Sequence, residues 1–107
     1  MQAKLEYLAA TESAMTYLFA GFVANLPPIT NVKRRIQTIR GQDGNEVKLY
    51  VHLPLNVSGD RPCVYHLHGG GMVILTAADV AYNRWRDELA AAGLAVVGVE
   101  FRNGAGS

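Results

Sequence analysis

Two β-forming segments, Cys63-Val64-Tyr65-His66-Leu67-His68 and residues 94–101, flank a helical pattern over residues 79–92. The second segment runs Leu94-Ala95-Val96-Val97-Gly98-Val99 before its first charged residue, Glu100. A strand, a helix and a strand in this order make a parallel pair with a right-handed crossover. A parallel strand without a polar face is buried on both sides. The chain is therefore expected to be α/β, with a last strand that needs a neighbour on each edge and a helix on each face. The rest of the sequence supplies one crossover helix and one N-terminal helical arm, so the sheet reads as unfinished.

Upstream, Leu5, Leu8, Met15, Leu18, Phe19, Phe22 and Val23 recur at helical spacing within residues 1–26. Thr11 or Ser13 is placed to cap a second helix, which predicts a break near residues 10–13. Pro27-Pro28 ends the arm, because proline lacks the N–H and restricts the residue before it. The period then changes. Residues 34–40 are β-rich, Gln42-Asp43-Gly44-Asn45 is a turn, and Val47, Leu49, Val51 and Leu53 alternate with Lys48, Tyr50 and His52. This predicts an antiparallel hairpin leading into the parallel unit, with residues 54–62 as a polar loop. In the crossover helix Val80, Trp85, Leu89 and Ala92 are read as the apolar stripe, and Gly93 as its stop. Two units follow: an arm over 1–26 and a sheet-bearing unit over 33–107.

Half of the 107 residues are apolar, 18% are charged and the net charge is +1. A disordered tail needs the opposite composition, and a charge-driven nucleic-acid binder needs a basic excess. Lys33-Arg34-Arg35 is too short for such a patch and is read as a solvated strand entrance. The lone Cys63 rules out an internal disulfide and a cysteine-based zinc site, and fits a reducing, cytoplasmic setting. It is expected to be a buried structural thiol, and Tyr82 and Trp85 to be packing residues. The uncharged run 14–26 is too short to span a bilayer. A leader reading is the minor alternative for that run, since Glu6 and Glu12 stand beside a single Lys4 and no clear A-x-A site follows. The sequon Asn56-Val57-Ser58 matters only in a secreted chain.

The chemistry-bearing segment is His66-Leu67-His68-Gly69-Gly70-Gly71-Met72. Its glycines follow the C-terminal end of a strand, where open α/β sheets bind ligands. A dinucleotide fingerprint fails at Ile74 and a Walker loop is absent, which leaves phosphate binding weakly supported. His66 and His68, with His52, lack the spacing and companions of a metal site. The third alternative is an oxyanion hole, in which backbone N–H groups of an H-G-G-G turn face the negative oxygen of a tetrahedral intermediate.

Residues from about 39 to 107 resemble the start of the α/β-hydrolase superfamily, in its hormone-sensitive-lipase-like carboxylesterase branch. The resemblance rests on Pro62-Cys63-Val64-Tyr65-His66-Leu67-His68-Gly69-Gly70-Gly71-Met72 and on Val96-Val97-Gly98-Val99-Glu100-Phe101-Arg102-Asn103. It implies a partial α/β-hydrolase sheet. It also implies that Gly70 and Gly71 donate to the oxyanion, and that His68 and Gly69 shape the loop, His68 not being the base. The arm is similar to the family's N-terminal helices, a cap in which Met15, Phe19 and Phe22 either line an acyl pocket or are ordinary core. Many members read Asp-Tyr-Arg-Leu-Ala-Pro where this chain has Glu100-Phe101-Arg102-Asn103-Gly104-Ala105. The family's nucleophile is a serine in G-x-S-x-G, followed by an acid and a histidine. Ser13, Ser58 and Ser107 lack that context, and His52, His66 and His68 precede it, so nucleophile, acid and base are all absent from these 107 residues. The resemblance thus implies the N-terminal portion of a serine carboxylic-ester hydrolase, inactive alone. The whole enzyme would act on small ester substrates of short or medium acyl chain without metal or organic cofactor. The alternative is a non-catalytic short protein that associates through an exposed sheet edge.

Overall fold

A computed structural model describes residues 2–55, 57–70 and 74–102. The elements, in chain order, are α1 (Gln2–Val23), β1 (Val32–Arg40), β2 (Glu46–Pro54), β3 (Cys63–His66), α2 (Val80–Ala91) and β4 (Ala95–Glu100). They build a four-stranded sheet of order β1-β2-β4-β3. β1 pairs antiparallel with β2, β2 antiparallel with β4, and β3 parallel with β4. The hairpin closes at Gly44, which takes a left-handed φ of 81° where only glycine is unstrained. The crossover helix α2 connects the parallel strands β3 and β4, as the strand spacing requires.

Register decides what each face carries. Arg34, His52, Val96 and Val64 lie in one row across the sheet, followed by Ile36, Tyr50, Gly98 and His66. These rows face α2. The intervening rows, with Leu49 and Val51 on β2, Val97 and Val99 on β4 and Tyr65 on β3, face the other way. Val96 and Gly98 are buried, whereas Val97 and Val99 are half-buried. The expectation that β4 is buried on both sides is thus corrected: among the described residues no helix covers the second face. The dimensions agree. The molecule is 50 × 39 × 16 Å with a radius of gyration of 15.4 Å, against about 13 Å for a compact chain of this length.

Three other expectations change. The arm is one continuous helix, with no break at residues 10–13, because Thr11 and Ser13 do not interrupt its backbone ladder. None of its side chains is fully buried. Cys63 is exposed rather than buried, since β3 is an edge strand and Cys63 opens it. As expected, β4, the most apolar strand, has a neighbour on each edge, so the open edge next to it is that of β3. Finally, α2 turns a different face to the sheet. Its buried residues are Arg86, Asp87 and Ala90, while Trp85 is 46% exposed and Val80 and Ala92 are exposed. The helix itself ends as expected, with Ala92 as its C-cap and Gly93 at φ 108°.

Candidate active site

The glycine loop leaves the C-terminal end of β3 beside that of β4. His68 is buried, and its Nδ1–H donates to the Gly69 carbonyl at 2.7 Å. Its ring stacks on Phe101, with centroids 4.3 Å apart and planes 8° from parallel, and lies against Tyr82 at 5.6 Å. These contacts hold the imidazole against the loop through Nδ1 and the ring faces. Its Nε2 is buried without a hydrogen-bond partner, 3.9 Å from Glu100 Oε1. Gly69 is hydrogen-bonded through its backbone to Tyr82, whose hydroxyl would lie 3.2 Å from a side chain there. Burial raises the Tyr82 phenol above its ordinary value, the Gly69 bond opposing it in part.

Gly70 has a φ of 117°, and a Cβ on it would come within 2.2 Å of the Ile74 carbonyl oxygen. No other residue type fits. The Ile74 N–H donates to the Gly70 carbonyl at 3.3 Å, closing the turn. The chain thereby brings the backbone of Gly69 and Gly70, free of side chains, past the end of β3. Gly71 and Met72 lie outside the described residues. The limb that returns from the loop is held at three successive amides. Leu75 N–H donates to Glu12 of α1, Thr76 N–H to Asp79, and Ala77 N–H to both oxygens of Glu100. The acid-aromatic-arginine ending of β4 thereby acquires a physical meaning. Glu100 holds the loop, Phe101 carries the His68 ring, and Arg102 pairs with Asp43 of the hairpin turn at 2.9 Å.

Under the loop lies a charged cluster absent from the sequence reading. Arg86 is fully buried. Its Nε donates to His52 Nε2 at 3.0 Å and its Nη1 to His66 Nδ1 at 2.9 Å. Its Nη2 donates to Asn83 Oδ1 and to the Ala77 carbonyl. The guanidinium also lies 5.7 Å from the centre of the Tyr50 ring. A Cβ on Gly98 would sit 2.7 Å from the guanidinium carbon, so that glycine makes room for Arg86 against the sheet. Asp87 accepts His52 Nδ1–H at 2.7 Å and is paired on its other side with Arg34. Arg34 is thus an ion-pair partner as well as part of a solvated strand entrance. The Asp87–His52 pair has the outline of a catalytic acid–base dyad. It cannot act as one, because the second ring nitrogen of His52 accepts from Arg86 and the ring is buried.

The protonation states follow. Burial, then the Arg86 cation, then His68 and His52 hold His66 near a pKa of about 4 instead of 6.5. Burial likewise lowers His52. Burial would raise the Asp87 carboxyl, but hydrogen bonds from Arg34 and His52 outweigh it and keep it below its ordinary value. Between pH 6.5 and 4 the unfolded chain binds a proton at position 66 that the folded chain does not. Stability is then full above 6.5 and falls as the pH drops towards 4. His66→Asn retains an acceptor for Arg86 and removes the titration. The melting temperature of that variant is expected to fall less over this range than that of the parent chain. An unchanged pH slope would refute the assignment.

Among the described residues no three His, Cys, Asp or Glu side chains converge on one point. No described helix is long and apolar enough to cross a membrane. A groove of about 760 Å³ beside the loop is lined by Leu67, His68, Val99, Glu100 and Phe101 on one side and by the hairpin turn on the other. The cue for the missed cluster was the spacing of Asn83, Arg86, Asp87 and Ala90, which share one helix face.

No family model and no curated protein matches the chain. Solved structures do. The chain is similar to brefeldin A esterase, described as a bacterial homologue of human hormone-sensitive lipase, with 39% identity and a TM-score of 0.83. That match covers 92% of this chain and 28% of the esterase. It is similar to a bacterial heroin esterase with 31% identity and a TM-score of 0.79, covering 92% of this chain and 31% of that one. It is also similar to esterase Est22 with 31% identity and a TM-score of 0.80, covering 95% and 32%. The chain spans about a third or less of the length of each protein.

Proposed function

We propose, from its likeness to esterases of which it covers 28–32%, that the chain is the oxyanion-hole-bearing N-terminal part of a hormone-sensitive-lipase-like serine carboxylic-ester hydrolase. Gly70 and Gly71 donate their N–H groups to the substrate oxyanion, while His68 and Gly69 brace the turn that presents them. The observation that carries this is Gly70: a left-handed glycine pressed against Ile74 O at the end of a parallel strand. The nucleophile, acid and base come from polypeptide that completes the sheet beyond β3, and the reaction runs through an acyl-enzyme. The substrate is a small ester of short or medium acyl chain. Residues 1–26 act as a cap-like arm over the sheet-bearing unit of residues 33–107, with a reducing, cytoplasmic setting for Cys63.

The test is a chimera in which this chain replaces the matching segment of brefeldin A esterase. We expect the chimera to hydrolyse an activated short-chain ester, while the 107-residue chain alone shows no burst of acylation. A folded but inactive chimera overturns the proposal. A burst on the isolated chain overturns the assignment of the nucleophile to the missing part. The open β3 edge, where Tyr65 is 74% exposed, favours a second reading, self-association without catalysis. An inactive chimera together with a discrete dimer of the isolated chain would establish that reading instead.

A further inference from the structure

We propose that Glu12, on the N-terminal arm, is a positioning residue for the glycine loop, so that docking of the arm sets the competence of the oxyanion hole. This rests on the hydrolase reading above.

Two independent observations support it. The first is backbone strain. Leu75 has a φ of 74°, the one non-glycine residue with positive φ among those described, and its side chain is almost fully buried. A branched side chain in the left-handed region is disfavoured and persists only where its surroundings hold it. The second is the set of acceptors. Three successive amides, those of Leu75, Thr76 and Ala77, each donate to a carboxylate on a different part of the fold. Asp79 stands at the start of α2 and Glu100 at the end of β4, so both belong to the sheet unit itself. Glu12 reaches in from α1, 63 residues away, and accepts Leu75 N–H at 2.5 Å.

The strained residue is joined directly to the candidate donor. Ile74, its neighbour, donates its N–H to the Gly70 carbonyl, and its own carbonyl is the atom against which Gly70 packs. A shift at Leu75 therefore moves Ile74, and a shift of Ile74 moves Gly70. α1 packs on α2 without a fully buried residue of its own, and this bond ties it to the residue that carries the backbone strain. The arm is in this way not only a cover but a lever on the loop.

The same chimera provides the test. A 1 Å misplacement of a catalytic group can cost on the order of 100-fold in rate, so partial loosening by Glu12→Ala is expected to lower kcat about tenfold with KM nearly unchanged. Glu12→Gln keeps an acceptor oxygen and is expected to restore most of the rate. Glu6→Ala, on the same helix and away from the loop, leaves it unchanged. Hydrogen exchange of the Leu75 amide is read in parallel and should quicken in Glu12→Ala and recover in Glu12→Gln. Faster exchange with unchanged kcat reduces Glu12 to a structural contact and overturns the proposal, as does unchanged exchange. A loss of kcat that Glu12→Gln does not restore also overturns it. A parent chimera that folds but does not turn over refutes the hydrolase reading, whereas the exchange result still decides whether Glu12 holds Leu75.

Discussion

In the chimeric enzyme, Gly70→Ala is expected to reduce kcat by about 100- to 1,000-fold while leaving KM little changed. This is the loss that follows removal of one oxyanion donor in acyl-transfer enzymes. The added methyl would lie 2.2 Å from Ile74 O, and the φ of 117° is one that alanine avoids. The turn must open, and the N–H groups proposed to meet the oxyanion then move away from where negative charge develops. An interaction made only in the transition state lowers kcat rather than raising KM. Gly44→Ala serves as the control. It meets the same kind of backbone strain, at φ 81°, but nothing lies within 4 Å of its Cβ and it sits at the tip of the hairpin. It should lower stability modestly and leave kcat intact. Equal effects of the two variants on kcat would overturn the assignment of Gly70.

The second large effect is expected on stability. Arg86→Ala should lower the unfolding free energy by about 3–5 kcal/mol, the range found when one partner of a buried charge network is removed. The guanidinium supplies donors to His52 Nε2, His66 Nδ1, Asn83 Oδ1 and Ala77 O. After truncation those acceptors are left inside the structure without a partner, each at a cost of about 1–3 kcal/mol unless water enters. The space that Gly98 leaves for the guanidinium becomes a cavity. For a domain whose total stability is about 5–15 kcal/mol, this is a large share. Denaturant unfolding followed by fluorescence of Trp85, the single tryptophan, which packs on His66 at 4.7 Å, measures it. A loss below about 1 kcal/mol, the scale of an ordinary exposed ion pair, would mean that the cluster is solvated.

Much of the architecture was legible in the residues. The hairpin was written in a strict alternation around Gly44, the crossover unit in a change of period, and the end of α2 in Gly93. The glycine turn that carries the candidate site was legible for the same reason. A glycine run after a strand is a local signal, and Gly70 occupies the backbone region that glycine alone tolerates. The errors also have physical causes. Thr11 and Ser13 suit a helix start but are tolerated within a helix, so α1 continues through them. Cys63 is apolar by type, yet it opens an edge strand with no described neighbour beyond it.

The face of α2 was misjudged because apolar residues are the usual mark of burial, and here Arg86 and Asp87 are buried instead. Burying them is feasible only because Arg34 and His52 meet them across the sheet, 53 and 35 residues from Asp87 in the chain. The same holds for Glu12, which no local pattern links to Leu75. Period, turn chemistry and glycine placement act between residues near in sequence, so the order of amino acids determined the strands, the helices and the turn that carries the candidate site. Burial of charge depends on partners that only folding brings together. The arginine cluster under the loop and the carboxylates that hold it were therefore decided by the tertiary structure.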